Sequence, residues 1–361
     1  MNCSLNLLIS NNLALSPFIS QISELKMSKS FFSRSFGHFV YNTKSVSLFD
    51  SCFSHFLNSV LKHDAKTVLI SGLITKHLQI PGFGSDIVVK NAQFLDCSSA
   101  IDGGVIDHFS PDSGSLDVSH STFYSCYCRS PPGDGGAIYF SGKSSLVYCC
   151  CATKCRAFRD GHFLCASIRG KTNNPNHLNF STVVYCGIDR QIGWQTNYLC
   201  FGDIFISRLN TSFCSTIMQA SSFMMHSLNQ NAIADYTTSY NNTGPWTVYF
   251  FAGRVSEVKR SNFLFNYATS KTAGVIYYYQ NSKLSNCRFA NNQIHILMPK
   301  STDGNILVTN CIFDQKVHDP PGLTMISCET KQKIVKILKI VQFQTQLCEN
   351  AFEQATNVQI I

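Results

Sequence analysis

Apolar and polar positions along this chain fall into one short frame. An aliphatic residue opens it, a polar residue stands at the third place, phenylalanine at the sixth, and Cys or Asn at the ninth. The frame reads clearly from Val89 to Cys97 around Phe94, and from Val118 to Cys126 around Phe123. It returns from Val258 to Asn266, from Leu284 to Asn292 and from Val308 through Phe313 to Gln315. Aligned on the first aliphatic residue, eleven rungs begin at Leu48, Val68, Val89, Val118, Val147, Phe180, Ile206, Leu228, Val258, Leu284 and Val308. Their spacing averages 26 residues, and a period of that size signals a repeat architecture. Phe fills the sixth place in six of the eleven rungs; Leu73, Ala152, Tyr185, Thr211 and Ile233 fill the rest.

A second element follows the frame at Asp102–Gly103–Gly104–Val105–Ile106, Asp134–Gly135–Gly136–Ala137–Ile138 and, degraded, Asp160–Gly161–His162–Phe163–Leu164. Thr272–Ala273–Gly274–Val275–Ile276 and Pro321–Gly322–Leu323 are weaker echoes. Asp-Gly-Gly is turn chemistry, because glycine takes positive φ without steric cost and a short apolar strand resumes at once. Each period therefore reads as three short strands separated by turns. Helical spacing is absent between residues 46 and 315, which excludes a two-helix solenoid, and the leucine ladder of a leucine-rich repeat is missing. The expected fold is all-β: a single right-handed parallel β-helix over residues 46–319, with an N-terminal cap or leader at 1–45 and a C-terminal cap at 320–361. Rungs stacked roughly 4.8 Å apart would make a rod of about 50 Å. Equivalent residues then lie over one another, so the recurrent Phe becomes an interior stack.

Composition narrows the function classes. Apolar residues make up 44% and charged residues 14%, enough burial to disfavour disorder. The net charge of +8 is dispersed, densest at Lys331–Lys339, and no nucleic-acid-binding motif accompanies it. No apolar run reaches the roughly 20 residues of a membrane helix. The apolar patch of Leu5, Leu7, Leu8 and Ile9 is cut by Asn11 and Asn12 and lacks the basic flank of a signal peptide. The tail from Lys333 to Val341 reads as a helix or strand laid over the last rung, which would cover an open strand edge, with a membrane-surface element as the alternative.

Gly135–Gly136–Ala137–Ile138, with Phe263-x-x-Asn266 and Phe289-x-x-Asn292, resembles the GGA-I and F-x-x-N repeats of polymorphic outer-membrane-type proteins. Asn286–Cys287–Arg288–Phe289 and Asn310–Cys311–Ile312–Phe313 are similar to framings in the large β-helix families of trichomonad protists. The resemblance covers roughly residues 46–315 and implies a pectin-lyase-like coil and a surface or secreted, adhesin-like role.

Candidate chemistry is sparse. The seventeen cysteines include Cys126–Tyr127–Cys128 and Cys149–Cys150–Cys151 followed by Cys155, spacings that are not the paired knuckles of a zinc site. Cys97, Cys126, Cys155 and Cys214 share the ninth place and should line one interior column as buried thiols. Stacked rungs also lie within disulfide reach, although parallel side-chain vectors oppose closure. Asp102, Asp134 and Asp160 occupy a turn column and read as caps. Arg159–Asp160–Gly161–His162 is superficially similar to a polygalacturonase Gly-His-Gly element, without the Asn-Thr-Asp, Asp-Asp and Arg-x-Lys partners. No catalytic, cofactor-binding or metal-binding residue is assigned. The expected function is a non-enzymatic solenoid binding protein or glycan on its outer face, where aromatics of Trp246–Phe251 and Tyr277–Tyr279 alternate outward. The alternative is a carbohydrate-active β-helix enzyme, a polysaccharide lyase or glycoside hydrolase, which needs converging carboxylates.

Overall fold

The computed structural model describes residues 86–330 with breaks at 111–112, 170–173, 189–191, 228–229, 253–255, 270–273, 279–280, 294–304 and 316–321. It also describes the strands of residues 1–82 and, in the tail, residues 337–340 and Cys348. Leu228, Thr272–Ala273, Tyr279, Pro321 and Lys331–Lys336 lie outside the described residues.

Every strand pairing among the described residues is parallel, and the elements are all strands. The chain coils into a parallel β-helix. The first strand of each turn recurs at Asp86–Leu95, Ser115–Ser119, Ser144–Tyr148, Pro175–Asn179 and Asp203–Ser207. It continues at Ala232–Asp235, Ser256–Lys259, Ser282–Ser285, Ile306–Thr309 and Leu323–Ile326. The same ladder runs back through Ser45–Phe49 to Glu24–Ser28 and Asn2–Leu5. A second sheet of eight strands, including Ile106–Phe109, Ile138–Gly142 and Gly274–Tyr278, closes the coil. Both sheets are present together for about seven turns. That is fewer than the eleven rungs counted from the frame, because the first-sheet strands recur beyond the second sheet.

Register tests the frame column by column. Val89, Val118 and Val147 stack, as do Val258, Leu284 and Val308. Three rungs need correction. Ile70, not Val68, aligns with Val89, and Leu178, not Phe180, aligns with Val147. Ala234, not Leu228, aligns with Ile206 and Val258. The first two errors are shifts by two: Val68 and Ile70 share a strand face, whereas Phe180 lies at the turn just beyond the strand that holds Leu178. The third arose because a buried alanine carries almost no hydrophobic signal. The sixth column is therefore Phe53, Ile74, Phe94, Phe123, Ala152, Val183, Thr211, Ser239, Phe263, Phe289 and Phe313. Its rings stack at 4.9 Å between Phe94 and Phe123, 4.9 Å between Phe263 and Phe289, and 4.8 Å between Phe289 and Phe313. Where the column narrows to Ala152, Phe163 enters from the opposite side and packs against Phe123 at 5.4 Å. Interior volume is conserved around the coil although the column is not.

Two turns per rung are built without glycine. Asn91, His120, Cys149, Phe180, Arg208, Tyr236, Arg260, Asn286 and Asn310 hold φ between 50° and 55°. A second set, Asp96, Ser125, Lys154, Tyr185, Phe213, Asn241, Phe265 and Asn291, holds φ between 49° and 58°. Each residue turns the chain while its N–H still joins the next rung, as in Phe180 to Ser207 O at 2.8 Å and Asp96 to Tyr124 O at 2.9 Å. The residue following each of these turns points inward, which explains the ninth place. There Cys97, Cys126, Cys155, Cys186 and Cys214 pass directly into Asn242, Asn266 and Asn292. Each asparagine satisfies two backbone groups of the preceding rung. Asn266 Oδ1 accepts from Asn242 N at 3.1 Å, and its Nδ2 donates to Ser239 O at 3.0 Å. A buried thiol does part of the same work, as when Cys214 Sγ donates to Ser212 O at 3.4 Å and lies 3.6 Å from Val183 O. Burial pushes the Cys126 and Cys186 thiols well up, so these two are held neutral.

Candidate functional site

The interior accounts for Phe, Cys and Asn, so binding chemistry must come from residues that point outward. The richest outward row lies on the second turn. Tyr185 and Phe213 stack at 5.0 Å, and Tyr240 meets Phe213 and Phe265 edge-on at 5.4 Å each. Phe265 is 46% exposed and Tyr267, two residues on, is 49% exposed. The first four rings make one aromatic strip along four successive rungs, and Tyr267 lies two residues beyond its end. Asn241 and Asn291 interrupt the same turn column and are exposed. The chain spends conformational energy on this strip. Left-handed backbone costs a bulky residue roughly 1–2 kcal/mol, and Asn, Asp or Gly tolerate it better. Tyr185, Phe213 and Phe265 nevertheless occupy it. Tyr185 was expected inside the coil, and the two-residue shift of its rung moves it to this outer corner. The signal that could have found the strip is the place immediately before the ninth, which reads Asp96, Ser125, Lys154, Tyr185, Phe213, Asn241, Phe265 and Asn291.

The first turn column also carries aromatics, now interleaved with cations. The Arg208 guanidinium lies 4.8 Å from the Phe180 ring centre and that of Arg260 lies 4.3 Å from Tyr236. Arg260 Nε also donates to Asp235 Oδ1 at 2.8 Å, within a bidentate pair. These cations are committed to local partners.

On the second sheet the described aromatics alternate as expected. Val248, Phe250, Ile276 and Tyr278 are buried, while Tyr249, Phe251 and Tyr277 face outward. The outward rings are spent on one another: Tyr249 stacks on Tyr277 at 4.5 Å, and Trp246 lies 4.7 Å from Tyr277. Nearby, His226 receives Tyr198 Oη at Nδ1 (2.9 Å) and meets Phe251 edge-on at 4.7 Å.

The aspartate column caps turns from rung to rung. Asp102 Oδ1 accepts from Asp134 N at 2.7 Å, and Asp134 Oδ1 accepts from Asp160 N at 3.0 Å and from Arg159 Nε at 2.9 Å. Burial, then repulsion from Asp134, raises the Asp160 carboxyl to about 6. His162 is fully buried. Its Nδ1 accepts from Ala157 N at 3.0 Å and its Nε2–H donates to Ser215 O at 3.1 Å. A Cβ on Gly187 or Gly193 would stand within 2.3 Å of this ring, so His162 is a core staple here. Among the described residues, no three His, Cys, Asp or Glu side chains are grouped to hold a metal ion, and no helix is long and apolar enough to cross a membrane.

Comparison of the chain with models of known families, with curated proteins and with solved structures finds no match.

Proposed function

We propose that this protein is a non-enzymatic binding solenoid of the surface or adhesion type, which engages a protein or glycan along Tyr185, Phe213, Tyr240, Phe265 and Tyr267. One observation carries the reading. Bulky rings stand at left-handed positions where asparagine would fold at lower cost, and two of the five are nearly half exposed. Backbone strain held at a surface feature is a pointer to function, and an exposed apolar row marks an interaction surface. The GGA-I and F-x-x-N framing supports a surface or secreted address by resemblance. The enzyme alternative draws on Asp102, Asp134 and Asp160; the first two carboxylates are already engaged with backbone N–H groups and Arg159, and Asp160 Oδ2 lies 3.6 Å from Arg159.

The test is a glycan array and a pull-down from cell-surface extracts with the wild-type rod and with Phe213→Asn/Phe265→Asn. Asparagine is native to this turn column at Asn241 and Asn291. The variant should therefore keep its thermal midpoint while losing binding by about tenfold or more. Unchanged binding by a folded variant, or turnover of a polysaccharide by the wild type, would refute the proposal.

A further inference from the structure

Four Asn-x-Ser/Thr triplets stand in the chain, at Asn2, Asn179, Asn210 and Asn241. In a chain that passes through the secretory route such a triplet is an acceptor for an N-linked glycan. The glycan must leave the folded protein through solvent, so the coil decides which asparagine can carry one. The Asn2 side chain lies outside the described residues. Asn210 is only 5% exposed, and its Oδ1 accepts from Ser212 Oγ at 3.0 Å. Asn179 is half-buried with its Oδ1 closed to solvent. The hydroxyl two places on, Ser181 Oγ, is fully buried, accepting from Cys150 N at 3.1 Å and donating to Asn179 O at 2.8 Å. Asn241 differs on each count. It is exposed at a left-handed corner, Asn242 behind it turns inward, and Thr243 faces outward on the short strand Thr243–Gly244. Asn291 shares the corner column and the exposure but has Gln293 two places on, so it is no acceptor.

The same corner offers a seat for the sugar. Phe213 and Phe265 hold it on the rungs before and after Asn241, since Phe213 N joins Tyr240 O and Asn241 N joins Leu264 O. Rungs stack about 4.8 Å apart, so both rings stand within reach of the first sugar on Asn241. Tyr240 meets both rings edge-on at 5.4 Å, and Phe265 is 46% exposed. The electron-rich face of such a ring attracts the C–H face of a pyranose. We propose that Asn241 carries an N-linked glycan whose first sugar lies over Phe213 and Phe265 and screens the middle of the aromatic strip. In the transfer, Asn241 Nδ2 attacks C1 of an oligosaccharide carried on a lipid pyrophosphate. The N–C1 bond forms, the C1–O bond breaks, the lipid pyrophosphate leaves with the bonding pair, and the amide proton passes to a base of the transferase. Modified and unmodified chains then present different lengths of the strip to a partner. The modification rests on the surface or secreted address proposed above, and only its effect on binding rests on the strip.

Protein purified from the cells that make it tests the site. Digestion with a peptide N-glycanase in heavy-oxygen water, followed by peptide mapping, should convert Asn241 to labelled aspartate and leave Asn179 and Asn210 unlabelled. Thr243→Ala should abolish the label and Thr243→Ser should retain it; both positions face solvent, so the fold is kept. Hydroxyl-radical footprinting should oxidise Phe265 severalfold less in the modified chain than after deglycosylation, with Tyr148, 44% exposed on another corner, unchanged. A secreted chain with a bare Asn241, or one modified at Asn179 or Asn210 instead, overturns the site and leaves the binding strip untouched. Equal oxidation of Phe265 in both forms overturns the seat for the sugar. A chain found outside the secretory route overturns the address and the modification together. A modified Asn241 beside unaltered binding by bacterially made Phe213→Asn/Phe265→Asn overturns the strip and leaves the site standing.

Discussion

Asn266→Ala removes one link from the interior ladder, and its cost follows from the groups it strands. In the wild type, Oδ1 accepts the buried N–H of Asn242 and Nδ2 donates to the buried carbonyl of Ser239. Alanine leaves the Asn242 N–H without a partner and takes one of two hydrogen bonds from Ser239 O, which keeps its place in the strand ladder, in a column where Asn242, Asn266 and Asn292 are 5% exposed or less. An orphaned buried polar group costs about 1–3 kcal/mol and a lost hydrogen bond about 1 kcal/mol more, so the expected loss is about 2–4 kcal/mol. Asn266→Cys should lose much less, about 1–2 kcal/mol, because a thiol can still donate to a carbonyl. Cys214 does this one rung before Asn242. The assay is urea unfolding, paired with hydrogen exchange over residues 232–242, since a solenoid can open locally before it melts globally. A loss below about 0.5 kcal/mol for Asn266→Ala, as for an ordinary surface change, would refute the ladder argument. So would a cysteine variant as damaged as the alanine one, because it would break the equivalence of Cys and Asn at the ninth place.

Further expectations follow from the core and its buried ionisable groups. Phe289→Ala, which removes the middle ring of the stack Phe263–Phe289–Phe313, should cost about 3–5 kcal/mol in the same assay; a cost near zero would mean that the neighbours collapse into the gap. His108 is buried, has no partner for either ring nitrogen among the described residues, stacks on Phe140 at 4.9 Å, and is held down to about 4 by burial. Its neutral ring contributes stability above the ordinary histidine value, which is lost as pH falls through about 4. His108→Phe should raise the urea midpoint at neutral pH and flatten that acid limb; an unchanged limb would assign it elsewhere, His162 being similarly lowered to about 4. Asp160 behaves in the opposite sense. With its folded value near 6 against 3.8, the folded state binds the proton more tightly, so stability falls as pH rises between those values. Asp160→Asn should abolish that decline in a pH series of urea midpoints, and a retained decline would exclude Asp160 as its source.

Much of the interior was legible from the chain. Val89, Phe94 and Cys97 recur as Val118, Phe123 and Cys126 because a parallel coil places equivalent residues over one another. Each column therefore imposes one size and polarity on every rung. Legibility failed where a column gave up its type. Ala234 and Ser239 carry no hydrophobic signature, and their rung was displaced for that reason. Phe180 and Tyr185 carry a strong signature but sit at left-handed turns, outside the coil. Hydrophobicity alone cannot separate an interior ring from one on an outer corner two residues away. The turns themselves were hidden because Asn, Arg, Tyr, Phe and Cys, and not glycine, hold the positive φ.

The sequence by itself determined the architecture and the identity of the interior columns, because both rest on a short-range period that each rung repeats. The tertiary structure alone decided which aromatics reach the surface and where the tail lies. The first depends on register between strands some 25 residues apart. The second depends on contacts across 76 and 197 residues, Leu338 to Asn262 and Cys348 to Cys151. No periodic pattern encodes contacts at such separations. They form only once the coil has brought a buried cysteine and an outward asparagine to the same flank.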